Sequence, residues 1–181
     1  MRPLIAILLV ALVGCGDDTA STTTTTAPEF DPAQMVQYVS DRHGFAIAYP
    51  PDWIVTEVDV ENLVGFTSPT VSTLTPNFNI TVNDAPEGLP AAAYYEGEIE
   101  RVTASLENAE ILEVVDVNVD GVVGRGLTLV TRQQGLDIGI SRIIVLRDSK
   151  AYELSFFAEA SDLERLAPMV ASIFQSLRFL S

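Results

Sequence analysis

One cysteine, Cys15, and one histidine, His43, are all that the sequence offers of the two residue types most used in metal and redox chemistry. A lone cysteine excludes a disulfide framework and a thiolate metal cluster, so packing alone must hold the core. A lone histidine excludes imidazole pairs as metal ligands and leaves little for a nucleophile–base couple. No Gly-x-Ser-x-Gly elbow, phosphate loop or dinucleotide fingerprint accompanies it. His43, beside Gly44 and ahead of an apolar alternation, reads as a solvated turn residue. Basic residues are scarce too, 10 Lys+Arg against 25 Asp+Glu for a net charge of -15, which disfavours nucleic acid and anionic lipid headgroups. No apolar run reaches the ~20 residues that cross a bilayer as a helix. What is abundant is apolar surface. At 48% of 181 residues it suffices for one domain with a substantial core and is short for two.

The apolar run that does occur, Leu4 to Val13 behind Arg2, has the length of an export signal rather than of an anchor. Leu12-Val13-Gly14-Cys15 resembles the lipobox of bacterial lipoproteins. The resemblance implies that Leu12, Val13 and Gly14 form the signal-peptidase recognition site, that residues 1–14 are removed, and that the Cys15 thiol receives diacylglycerol. The mature chain would lose Arg2 and become one charge more negative. The alternatives are an ordinary secretory signal with a chance cysteine, or a cytoplasmic protein with an apolar start. Residues 15–37 then carry the tract Thr19 to Pro28, polar and uncharged, with nothing to bury. As a flexible tether, a stretch of about 22 residues spans roughly 25 Å.

Residues 38–181 read as one folded domain without repeats. Phe45, Ile47 and Tyr49 alternate on one side of a strand that Pro50-Pro51 stops, and a turn presenting Trp53 follows. Further strands are expected at 63–67, 78–82, 111–119, 122–131, 138–146 and 152–158. Asp120-Gly121 and Gln134-Gly135 mark tight hairpins, and Asp148-Ser149-Lys150 the next turn, so this part should be an antiparallel meander. A helix is expected from about Pro90 to Leu106, with Tyr95, Ile99, Val102 and Leu106 on one face. A second should open on the capping box Ser161 to Glu164 and bury Leu163, Leu166, Val170, Ile173, Phe174 and Leu177, with Pro168 kinking it or splitting off its first turn.

Several side chains stand out against this frame. Arg125 and Arg142 fall in the alternation sets of apolar strands, where a charge is costly unless paired. They are either structural ion pairs or the contacts for an acidic group of a partner. Trp53 is either a plug under its loop or an exposed anchor, and the stiff prolines before it favour the plug. Tyr94 or Tyr95 would line an apolar ligand pocket if the first helix leaves a cleft against the sheet. Glu57, Asp59 and Glu61 alternate as three acids on one strand face, a pattern that chance supplies often in an acidic chain. No metal or cofactor is assigned to them.

The order of elements, with "DRHGFAIAYPPDW" near the start and "YELSFFAEASDLERLAPMVASIFQSLRF" at the end, resembles the PsbP-like superfamily over roughly residues 38 to 181. The matching features are a first strand ending Tyr49-Pro50-x-x-Trp53, a helix between the early strands and the meander, and a final helix ending Ile173-Phe174-x-Ser176-Leu177. The lipobox and threonine tract are most similar to LpqN-type bacterial lipoproteins. The resemblance implies an α+β fold, an α/β/α sandwich around a mainly antiparallel sheet. It also implies binding to protein surfaces rather than a shared catalytic constellation. The expectation is therefore a non-enzymatic module, lipid-anchored to the cell membrane on its extracytoplasmic side, that engages an envelope protein. A small-molecule or lipid carrier is the alternative, and an extrinsic photosystem subunit a narrower one.

Overall fold

Three two-residue turns generate the largest part of the molecule. Asp120-Gly121 (φ 50° and 81°), Gln134-Gly135 (50° and 84°) and Asp148-Ser149 (50° and 61°) all place both central residues in the left-handed region. That is the backbone of tight hairpins whose twist matches that of the flanking strands. They join β6 (Glu110–Val119), β7 (Val122–Gln133), β8 (Leu136–Arg147) and β9 (Lys150–Glu159) into the expected antiparallel meander. The computed structural model describes residues 30–58, 63–70 and 72–180.

Beyond β9 the sheet continues through β5 (Asn77–Asp84), β4 (Leu63–Thr67) and β3 (Ile54–Val58), giving seven strands in the order β3-β4-β5-β9-β8-β7-β6. A smaller sheet holds β1 (Val36–Ser40), β2 (Phe45–Tyr49) and β10 (Arg178–Phe179), with β2 in the middle. Cross-strand register assigns the faces. Gly126, Ile143, Leu154, Ile80 and Val64 lie opposite one another across five strands and share one face. Leu127, Arg142, Ser155 and Asn79 lie one residue along and share the other. Helix α1 (Ala91–Ser105) covers the second face with Val102 against Leu127, Leu129 and Ile140. Helix α2 (Leu163–Gln175) and the small sheet cover the first, where Phe45, Ile47, Phe78, Leu154, Phe156 and Ile173 form the main core. The result is the α+β sandwich that the sequence resemblance implied.

Two details depart from expectation. The capping box does not form. Residues Ala160–Asp162 wind into a 3-10 turn, so Asp162 at the helix cap has helical backbone (φ -94°, ψ -12°) and makes no side-chain cap bond. An N-cap oxygen needs extended backbone to reach the first amides. The Asp162 carboxylate accepts instead from Arg165 at 2.8 Å. Helix α2 is also continuous through Pro168, so the proline does not split off its first turn. The proline and Glu164, whose carbonyl loses its amide partner, both face solvent, where water can satisfy the carbonyl.

Folding also begins earlier than residue 38. Val36 and Gln37 pair with Tyr49 and Ala48, and Phe30 and Met35 pack against the main core. Two glycines permit close approach. A Cβ at Gly139 would lie 2.4 Å from Leu163 Cγ at the start of α2, and one at Gly124 would lie 2.4 Å from the Ile144 carbonyl oxygen.

Candidate functional site

The arginines singled out in the sequence are both engaged within the fold. Arg142 on β8 and Glu153 on β9 meet on the α1 face as a buried ion pair, the side chains 14% and 6% exposed. The Tyr94 hydroxyl of α1 donates to the other carboxylate oxygen at 3.3 Å. Burial first, then the charges of Glu153 and Glu98, push the Tyr94 phenol up to about 12, so it remains a donor at physiological pH. Arg142 Nε is buried with no hydrogen-bond partner among the described residues. Arg125 on β7 donates to Asp116 on β6 at 2.7 Å, a cross-strand pair on the same face. Both arginines thus have an ion-pair partner within the fold, the pairing that a charge in an apolar strand requires.

The hydroxyls of Tyr94 and Tyr95 are both engaged within the fold. Tyr95 is buried, its hydroxyl donating to the Val123 carbonyl at 3.1 Å and accepting from the Leu146 amide at 3.2 Å. A phenol satisfied on both sides ties α1 to β7 and β8. Trp53, 8% exposed, lies with its ring centroid 5.9 Å from Phe78 and 6.5 Å from Phe156, the plug rather than the anchor. The backbone carbonyl of His43 accepts from the Tyr152 hydroxyl, and its ring stacks near Phe45. Glu57 accepts from Tyr38, whose phenol burial and Glu57 push up to about 12. Asp59 and Glu61, like Leu12, Val13, Gly14 and Cys15, lie outside the described residues.

The surface most open to a partner is one that sequence reasoning missed. Strand β6 stands at one edge of the large sheet and, among the described residues, pairs only with β7. Four of its apolar side chains stay in water: Ile111 is 43% exposed, Leu112 54%, Val114 42% and Val115 39%. An apolar groove borders it on each face. On the α2 side, Val115 and Val117 of β6 meet Ile143, Val170 and Phe174 around a groove of about 410 Å³. Gly126 keeps its floor low, since a Cβ there would lie 3.1 Å from Val115 and Val117. On the α1 side, Ile111 and Val114 face Ile99 and Ala104, with Glu96 and Glu100 at the rim. The available signal was the run "EILEVVDVNV", in which an acid at every third position matches neither a buried strand nor a two-period half-buried one.

No family model matches the chain, and no curated protein matches it in sequence. Solved structures do resemble it. LpqN of Mycobacterium tuberculosis, described as involved in cell envelope biogenesis, is similar over 86% of this chain and 100% of its own, with a TM-score of 0.64 at 13% identity. The cyanobacterial PsbP of Synechocystis is similar over 86% of this chain and 98% of its own, with a TM-score of 0.63 at 13% identity. A Mog1 variant is similar over 81% and 96%, with a TM-score of 0.62 at 8% identity. At such identities the likeness speaks for fold alone: the chain has a PsbP-like α+β fold.

Proposed function

We propose that the protein is a lipid-anchored binding module, held through Cys15 outside the cytoplasmic membrane, that engages a protein partner in the cell envelope. The observation that carries the binding role is the concentration of apolar surface on one unpaired edge. Of the ten exposed large apolar residues among those described, Ile111, Leu112, Val114 and Val115 fall within five positions of β6. Contiguous exposed apolar surface of this kind marks interaction sites in soluble domains. The lipobox-like Leu12 to Cys15 supports the anchor, and the envelope role described for LpqN is consistent with it. The domain acts by binding rather than by catalysis on this reading.

The test is photo-crosslinking in the organism that makes the protein, with the crosslinker at Leu112 or, as a control, at Asp52. The unaltered chain should take up an acyl label and give discrete adducts with an envelope protein. Cys15→Ser should lose the label completely, because the thiol is the acceptor, and lose the adducts with it. Equal labelling of the mutant would overturn the anchor, and adducts at neither position would overturn the binding role.

The groove of about 410 Å³ beside α2 favours a second reading, a carrier of a small apolar ligand. Organic extraction of the protein purified from its own cells, followed by mass spectrometry, should return a stoichiometric lipid if that reading is right. Only trace and variable lipid would exclude it.

A further inference from the structure

We infer that β6 is a docking strand, to which a partner adds an extended segment that alternates apolar with basic residues. This rests on the binding-module reading and names the partner's chemistry. Natural sheet edges are blunted by shortness, proline, charged side chains (lysine above all), bulges or a covering element. Strand β6 runs for ten residues, twice the length of β3 at the opposite edge, and contains neither proline nor a basic residue. No backbone hydrogen bond outside the β7 ladder reaches it among the described residues. Its outward amides and carbonyls are thus free to pair with an incoming strand, the main-chain component of strand addition. One irregularity, between Ile111 and Glu113, interrupts the register near its start and leaves seven consecutive paired positions beyond.

Side chains supply specificity. A strand laid beside β6 would set alternate residues on the two sheet faces, next to Val115 and Val117 on one and Ile111 and Val114 on the other. Charge then selects the occupant. Glu110, Glu113 and Asp116 are spaced along the strand, and Glu96 and Glu100 rim the α1 groove, while Arg125 pairs with Asp116 alone. A second copy would bring the same carboxylates against themselves on a chain of net charge -15, so it is disfavoured. A small apolar molecule would leave the strand's backbone groups unpaired. A basic, apolar, extended segment meets all three demands.

The probe is a synthetic peptide of the same ten-residue length as β6, alternating valine with lysine, titrated into the full chain in neutral detergent. Saturable binding is expected, with slowed amide hydrogen exchange confined to β6 and the turn after it. A peptide of equal charge carrying a central proline, which cannot complete the ladder, should bind at least about tenfold more weakly, as should the original peptide to Glu113→Lys. Equal binding of the proline peptide would reduce the effect to bulk charge and overturn the proposal. So would protection on β3, or protection of β6 that depends on protein concentration without peptide, the mark of a second copy. Crosslinks in the cell at Asp52 but not at Leu112 would overturn the docking strand while leaving the binding-module reading intact. Their absence at both positions removes that reading itself.

Discussion

Trp53→Ala is expected to destabilise the domain by about 3 to 5 kcal/mol, a large share of the stability of a domain this size. The indole follows the turn closed by its own amide on the Pro50 carbonyl at 3.1 Å, and enters an aromatic array in which Phe66 stacks on Phe78 at 4.2 Å. Phe78 and Phe156 belong to adjacent strands of the large sheet, and Trp53 covers them both. Truncation would open a cavity against rings that cannot collapse inward, because each is fixed by a central strand. The loss combines the transfer cost of the indole with the cavity it leaves. Circular dichroism in a urea titration is the proper measurement, since Trp53 is the only tryptophan and the mutant has no indole fluorescence. A shift below about 0.5 kcal/mol would mean that the ring carries no core.

Glu153→Ala should cost a comparable amount, about 3 to 5 kcal/mol, for a different reason. It would leave the Arg142 guanidinium buried without its counter-charge, and Arg142 Nε already lacks a partner among the described residues. Tyr94 would lose its acceptor at the same time. The pair itself contributes little net stability, because two desolvated charges roughly offset their mutual attraction. The double variant Arg142→Met with Glu153→Leu should therefore recover most of the single variant's loss. Chemical denaturation of both singles and the double closes the cycle. A single loss below about 1 kcal/mol would show that water reaches the pair freely.

Local pattern made much of the fold legible. Asp120-Gly121 and Gln134-Gly135 tolerate positive φ where the hairpins demand it, and the β-branched runs between them have few other uses. The helical spacing of Tyr95, Ile99 and Val102 likewise marked α1, and Val170, Ile173 and Phe174 marked α2. Strand β1 escaped notice because "VQYVS" is short and half polar, and acquires strand geometry only by pairing with β2. Ser161 looked like a cap until a 3-10 turn ahead of α2 changed its backbone.

The candidate site was less legible, since exposure and pairing are properties of assembled strands. Nothing local says that Arg142 will find Glu153 eleven residues later on a neighbouring strand, nor that Tyr95 will have both sides of its hydroxyl satisfied. The sequence by itself determined the charge, the single cysteine, the hairpin turns and the helical faces, because these depend on residue type and on neighbours within a few positions. Tertiary structure decided which acid each arginine met, which tyrosine was buried and which strand stood at the edge. Those outcomes depend on the order in which distant strands meet, and the same "EILEVVDVNV" would be a covered strand if one more ladder had formed beside it.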